Sequence, residues 1–375
     1  MASLLFMRSS SQQAMLDGFF GNVCGQAQPV HEVSDRAFAA ARSHLHVPAL
    51  QGLNDWVIER ADAAGLVSRW RGFRLVAGDG SVLMPAIRRC KRTRHLADGD
   101  QRLFALHLPG SELMLHAAVH SSGVSERAML MEALDKLGCE DVLLLDRGYP
   151  AAWLVNVLVQ RGMRFVIRCD TTAGGFNAVR RFMRSGLAEA QVLLNAPDVA
   201  DACDWGCSSQ APTVRLVRQI APSGAQRVLM TNLSAEQAAA ADFGDLYHRR
   251  WRIEEAFKRL KHRLHLEAVS GLSQHALLID VAAKVLADNI AALLCLAVQA
   301  DDVCPHTRRC ARSSADQVVR QLLPRVLLGI GDVLALIARA VQLIARSLRR
   351  EPRTPRSSPR KASSLKPHAR LAYKG

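Results

Sequence analysis

Val142-Leu143-Leu144-Leu145 is an unbroken apolar run, and the next residue is Asp146. A short run without polar alternation is the pattern of a strand buried on both faces. The flanking segments supply its neighbours. "FRLVAGDGSVLMP" (73–85), "RLFALHLPG" (102–110) and "LMLHAAVHSS" (113–122) read as strands, with Pro109-Gly110 marking a turn. "SERAMLMEALDKLG" (125–138) reads as a helix with Ser125 as N-cap and Gly138 at its end. "AAWLVNVLVQRG" (151–162) is a second helix, ending in Gly162, and "RFVIRC" (164–169) a further strand. The order β-β-β-α-β-α-β places the chain in the α/β class.

The rest of the chain departs from this rhythm. Residues 1–70 read as helical, with Ser34-Asp35 as a start signal and a further helix over Leu53–Ala64. Over residues 170–240, Gly174-Gly175, Pro197, Pro212 and Pro222 punctuate the short strands "AQVLLN", "TVRLVRQI" and "QRVLMTNL". This stretch is expected to be an inserted, β-rich subdomain. A long helix is expected from Phe243 to Leu266, with more helices to Leu348. The resulting organisation is a helical N-terminal region (1–70) with possible DNA-end contacts, a core (71–169 and 241–300), an insertion (170–240), C-terminal helices (301–348) and a basic, disordered tail (349–375).

Charge suggests the partner. The net charge is +15, and Arg346–Gly375 holds ten Lys/Arg against Glu351 alone. A basic chain with a basic tail suits a polyanion, most often nucleic acid, although such tails also aid solubility or meet anionic lipid. The apolar share of 49% is enough for a large core. The nine scattered cysteines contain no Cys-x2-Cys and fit a reducing cytosol. Cys203, Cys207, Cys304 and Cys310 have poor spacing for zinc. The N-terminal apolar stretch is too short for a signal peptide. In His275–Ala300, Asp280, Lys284 and Asp288 recur every four residues. Such a stripe fits a helix packed on a protein core better than a bilayer span, so no membrane partner is expected and a cytoplasmic, nucleoid-associated location is.

Three acids stand out. Asp79 interrupts the first strand, Asp146 closes the apolar one, and Glu254 lies mid-way along the long helix. A carboxylate at the end of a buried strand is costly unless paired, hydrogen-bonded or metal-bound. Each has a plain reading as well: Asp79 in an Asp-Gly turn, Asp146 paired with Arg147, Glu254 paired with Arg250. In the long helix, Tyr247, Arg250, Glu254 and Lys261 fall on one stripe, and Leu246, Ile253, Phe257, Leu260 and Leu264 on an apolar one. One face would dock, while the other presents a carboxylate for a hard cation beside groups that bind phosphate oxygens.

Asp79-Gly80-Ser81, Asp146-Arg147-Gly148-Tyr149 and Tyr-x2-Arg-x3-Glu-x6-Lys over 247–261 resemble the three signature blocks of bacterial insertion-sequence DDE transposases. The likeness is to the group named for Tyr, Arg, Glu and Lys, and covers roughly residues 34–300. It implies an RNase H-like mixed sheet flanked by helices, with a β-rich insertion before the Glu helix. It implies Asp79, Asp146 and Glu254 as catalytic ligands of two Mg²⁺ ions, with Mn²⁺ as a substitute. Tyr247, Arg250 and Lys261 would hold DNA phosphates. The implied activity is binding of terminal inverted repeats, metal-dependent strand cleavage and strand transfer into target DNA, by a homodimer in a synaptic complex.

Two other readings use the same residues: an inactive DNA-binding relative, and a metal-dependent nuclease that cuts without joining. Members that flip a base at a DNA hairpin can use a Trp near the end of the insertion; "QRVLMTNL" has Arg227 there, and Trp205 lies elsewhere in the insertion.

Overall fold

The computed structural model describes residues 1–6, 11–85, 100–172, 174–220, 224–300 and 308–350. Helices open the chain: α1 (Ala2–Phe6), α2 (Gln12–Val23), α3 (Asp35–Ser43) and α4 (Val47–Ala63). The Ser34 hydroxyl caps α3 by accepting from the Ala37 amide at 3.2 Å. Helix α4 starts earlier than Leu53 because Pro48 sits in its first turn, where a missing N–H costs nothing.

Next come β1 (Arg74–Leu83), β2 (Gln101–Leu108), β3 (Leu113–Ser121), α5 (Glu126–Ala133), β4 (Asp141–Leu145), α6 (Ala152–Gln160) and β5 (Arg164–Arg168). This is the expected β-β-β-α-β-α-β order. Residues 170–240 hold α7 (Asn177–Ser185), β6 (Glu189–Leu193), α8 (Val199–Asp204), β7 (Thr213–Ile220) and β8 (Gln226–Thr231). The long helix is composite: α9 (Phe243–His248), a 3-10 turn (Arg249–Trp251), α10 (Arg252–Lys258) and a π-helical turn (Arg259–Arg263). Then follow α11 (Gln274–Ala300), β9 (Arg308–Arg309), α12 (Arg312–Leu327), α13 (Val333–Ala345) and β10 (Arg349–Arg350). Beyond Arg350 the basic tail lies outside the described residues, as does Cys304.

The chain divides into two compact units. Val67–Val82 with Arg102–Phe257 form the sheet unit. Its sheet runs β3-β2-β1-β4-β5-β8-β7-β6. The β1–β4 and β4–β5 pairs are parallel, and the β5–β8, β8–β7 and β7–β6 pairs antiparallel. The fold is therefore a mixed α/β sheet with helices, as the sequence predicts, and the strands of 170–240 continue that one sheet.

Strand β4 is buried on both faces: Val142, Leu143, Leu144 and Leu145 are all at most 1% exposed. On one face Leu75, Val142, Leu144, Val166, Val217 and Leu229 pack against Phe243, Leu246 and Tyr247 of α9. Leu75 pairs with Val142 and Ala77 with Leu144. Side chains alternate along a strand, so Asp79 and Asp146, each two residues further on, continue this α9-covered face at the same level. The register is locked at its start, where Arg74 donates to Asp141 Oδ1 at 2.6 Å and Oδ2 at 2.8 Å, with both residues buried.

The described residues of Met1–Leu66, of Leu83–Gln101 and from Lys258 to Arg350 form the helical unit. Ile279, Ala283, Leu286 and Ala287 of α11 pack against Leu4, Leu16, Phe19 and Leu50. Further along, Ala291, Cys295 and Val298 meet Ala315, Val319 and Ile344. Helix α11 is long and apolar enough to cross a membrane by length and composition, but 67% of its most apolar window is buried within the protein. Its charged stripe is buried and fully paired. Asp280 accepts from Ser270, Lys284 donates to the carbonyls of His265 and Ala268, and Asp288 accepts from Arg259 and Arg312. The spacing of four serves to fasten the segment that follows the long helix.

Candidate active site

Asp79 lies inside β1, not in a turn. Its Oδ1 accepts from the Gly80 amide at 2.9 Å and its Oδ2 from Arg250 Nη1 at 3.2 Å. Asp146 follows the last residue of β4, and its Oδ1 accepts from the Gly148 amide at 2.7 Å. This closes the Asp146–Gly148 loop on its own carboxylate. Glu254 accepts from Arg250 Nη2 at 3.3 Å, so its pairing with the residue four before it is real. The same guanidinium reaches Asp79 and joins carboxylates from strand and helix.

Tyr247 is buried in the apolar cluster, and the Arg250 guanidinium lies 5.8 Å from its ring centroid. Burial of the phenol pushes its pKa up to about 12, against the opposing pull of Arg250. Burial alone would lower the pKa of Arg250, but Tyr247, Asp79, Asp146 and Glu254 outweigh it and raise it. Lys261 belongs to the helical unit, where its Nζ lies 3.9 Å from Glu267 Oε1.

Desolvation raises the pKa of Asp79 to about 6; the Arg250 charge opposes this, and Asp146 and Glu126 add to it. Among the described residues, no three His, Cys, Asp or Glu side chains converge as cation ligands, and Arg250 bridges Asp79 and Glu254. The donor chemistry nevertheless suits a hard divalent ion: Asp79, Asp146 and Glu254 offer carboxylate oxygens and nothing softer. Tyr149 is fully buried beside Glu126, and burial together with the charges of Glu126, Asp79 and Asp146 pushes the pKa of its hydroxyl up.

Sequence reading missed three features of this site. Glu126, at the start of α5, packs on Gly80: a Cβ there would lie 2.8 Å from Glu126 Oε1. Arg127 donates to the carbonyls of Gly148, Tyr149 and Pro150 at 2.9, 3.1 and 3.2 Å, which fixes the loop after Asp146. A polar cavity of about 580 Å³ adjoins that loop, lined by Arg127, Arg147, Asp170, Phe176 and Arg180 among others. Trp205, for its part, is stacked on Trp153 at 4.5 Å between ring centroids.

A family model for the transposase DDE domain matches residues 87–290, more than half of the chain. This chain belongs to the transposase DDE domain family. The matched part of this transposase domain includes Asp146 and Glu254 and begins after Asp79. Among solved structures it is similar to a piggyBac transposase in a synaptic complex with hairpin DNA. That likeness has 9% identity and a TM-score of 0.40, over 83% of this chain and 66% of the other. The chain thus spans just under two thirds of that protein's length. No curated protein matches the sequence.

Proposed function

We propose that this DDE transposase is the enzyme of a bacterial insertion sequence, in the group carrying the Tyr-Arg-Glu-Lys signature, on an RNase H-like core. It binds the terminal inverted repeats of its element, cleaves the strand ends and joins them to target DNA. The observation that carries this reading is the level placement of Asp79, within β1, and Asp146, just past the end of its parallel neighbour β4, with Glu254 tied to Asp79 through Arg250.

Asp79, Asp146 and Glu254 would hold two Mg²⁺ ions. Bound there, such ions neutralise charge on the phosphodiester and activate the attacking oxygen. The protein's own groups do the positioning. Gly80 and Gly148 amides orient the two aspartates. Arg250, supported by the Tyr247 ring, turns from the carboxylates to a DNA phosphate as the site fills. Lys261 is a further phosphate contact, and Arg147 in the polar cavity faces the same backbone. The working form is a homodimer that holds two element ends, nucleoid-associated in the cytoplasm.

The test is cleavage and joining of a donor DNA carrying the element's own ends, in Mg²⁺, by wild type and Glu254→Ala. Wild type alone should cut and join. Release of ends without joining points to a nuclease, and binding without cleavage by either protein points to an inactive relative. Equal cleavage by both removes Glu254 from the site.

A further inference from the structure

The polar cavity beside the Asp146 loop lies wholly within the sheet unit, and its volume of about 580 Å³ is that of a ligand site. Three guanidinium groups line it, from Arg127 of α5, Arg147 of the loop and Arg180 of α7, against one carboxylate, Asp170. That carboxylate is already engaged, since it accepts from the Thr172 amide and hydroxyl, each at 2.9 Å. The walls therefore carry an excess of positive charge.

The three arginines differ in what they do. Arg127 holds the carbonyls of Gly148, Tyr149 and Pro150 through Nε and Nη2, and its Nη1 has no partner among the described residues. Arg180 donates to the Gly175 carbonyl at 3.0 Å and to Asn177 Oδ1, which shapes the loop that leads into α7. Arg147 is exposed and forms no hydrogen bond or ion pair among the described residues, so no structural duty accounts for it. Like charges gathered around one cavity repel, and an anion among them relieves the repulsion. The starts of α6 and α7 add to the positive potential: their N-cap residues, Ala151 and Phe176, line the cavity and supply no capping side chain. A guanidinium fork suits phosphate oxygens in particular. Asp146 and Arg147 are consecutive, so one short loop serves both the acids and the cavity.

We propose that this cavity is a phosphate site of its own, in which Arg147 contacts a DNA backbone phosphate beside the strand position held at Asp146, backed by the charges of Arg127 and Arg180. It is separate from the phosphate contacts assigned to Tyr247, Arg250 and Lys261. The inference rests on the reading of the chain as an enzyme that cuts and joins DNA. The phosphate belongs either to the element end or to the target strand, which share this chemistry.

The test uses the full chain and two measurements on wild type, Arg147→Gln and Arg147→Lys. The first is binding of a duplex carrying the element's own ends, in EDTA so that no strand is cut, over a salt series. The second is joining of pre-cut ends in Mg²⁺ as target DNA is varied. If the phosphate is the element's, Arg147→Gln should make the fall of log Kobs with log salt shallower by about 0.9, the share of one duplex phosphate. If it is the target's, end binding should keep its slope, while half-maximal joining should need at least about tenfold more target, the weight of one charge-assisted hydrogen bond. Arg147→Lys keeps the charge and should restore either effect; a lysine variant that behaves as the glutamine one points to a disturbed loop and overturns the proposal. Unchanged slope and unchanged target dependence in Arg147→Gln overturn it as well, with the parent reading intact. If wild type neither binds the ends nor joins them, that reading falls and this inference with it.

Discussion

The Arg250 guanidinium meets Asp79 at 3.2 Å across 171 residues of sequence. With its contact to Glu254, it gives two carboxylates one positive partner. Removing one member of a buried ionic group typically costs about 3–5 kcal/mol, because the others stay buried and uncompensated. Arg250→Ala should therefore lower the thermal midpoint in EDTA. Added Mg²⁺ should restore part of the loss, since a cation then replaces the guanidinium. Arg250→Lys should recover less than wild type, because a single ammonium lacks the fork that reaches both acids. No recovery with Mg²⁺ would show that the ion and the guanidinium do not exchange.

Asp79 predicts a pH effect. Its pKa is about 6 in the fold against 3.8 for the free side chain. The folded state holds this proton more tightly, so its contribution to stability is full below about pH 4 and lost as pH rises through 6. Asp79→Asn lacks that titration. Urea unfolding in EDTA should show the variant gaining on wild type between pH 4 and 6.5, by up to roughly 3 kcal/mol. A constant difference across that range contradicts the assignment.

Arg74 and Asp141 lie five residues before Asp79 and Asp146 respectively, on paired positions of β1 and β4. Asp141 also accepts from the Gly138 amide at 2.8 Å. Asp141→Ala should destabilise the sheet unit by about 3–5 kcal/mol. Arg74→Met with Asp141→Leu should cost much less, as paired replacement leaves no orphaned charge. Denaturant midpoints of the single and double variants check this.

The basic tail predicts a salt signature. If residues 349–375 neutralise DNA phosphates, deleting them should make the fall of log Kobs with log salt shallower, by close to one for each phosphate the tail had neutralised. An unchanged slope in a filter-binding series assigns the tail no role on DNA.

Much of the sheet was legible because its signals are local. Val142–Leu145 has no polar residue, and Ser34 and Ser125 precede helices they do cap. Asp79 and Asp146 stood out because each breaks an apolar strand. Glu126 did not, because an acid in the first turn after a serine cap is an ordinary helix start that the helix dipole already explains. Only the topology brings it to Gly80. The long helix was legible as one element but not in its winding. Its 3-10 and π turns at Arg249–Trp251 and Arg259–Arg263 interrupt the regular period that the stripe assumes. The three strands of 170–240 were legible singly. Their place in the main sheet depends on pairing with β5, which no local pattern encodes.

Asp280, Lys284 and Asp288 fasten the chain at Ser270, at His265 and Ala268, and at Arg259. The attachment points run backwards along the sequence as the helix runs forwards, like rungs joining two antiparallel rails. Adding or removing one residue between Arg259 and Ser270 would misalign every rung above the change. Relatives of this chain should therefore tolerate exchange of many side chains in that stretch while keeping its length.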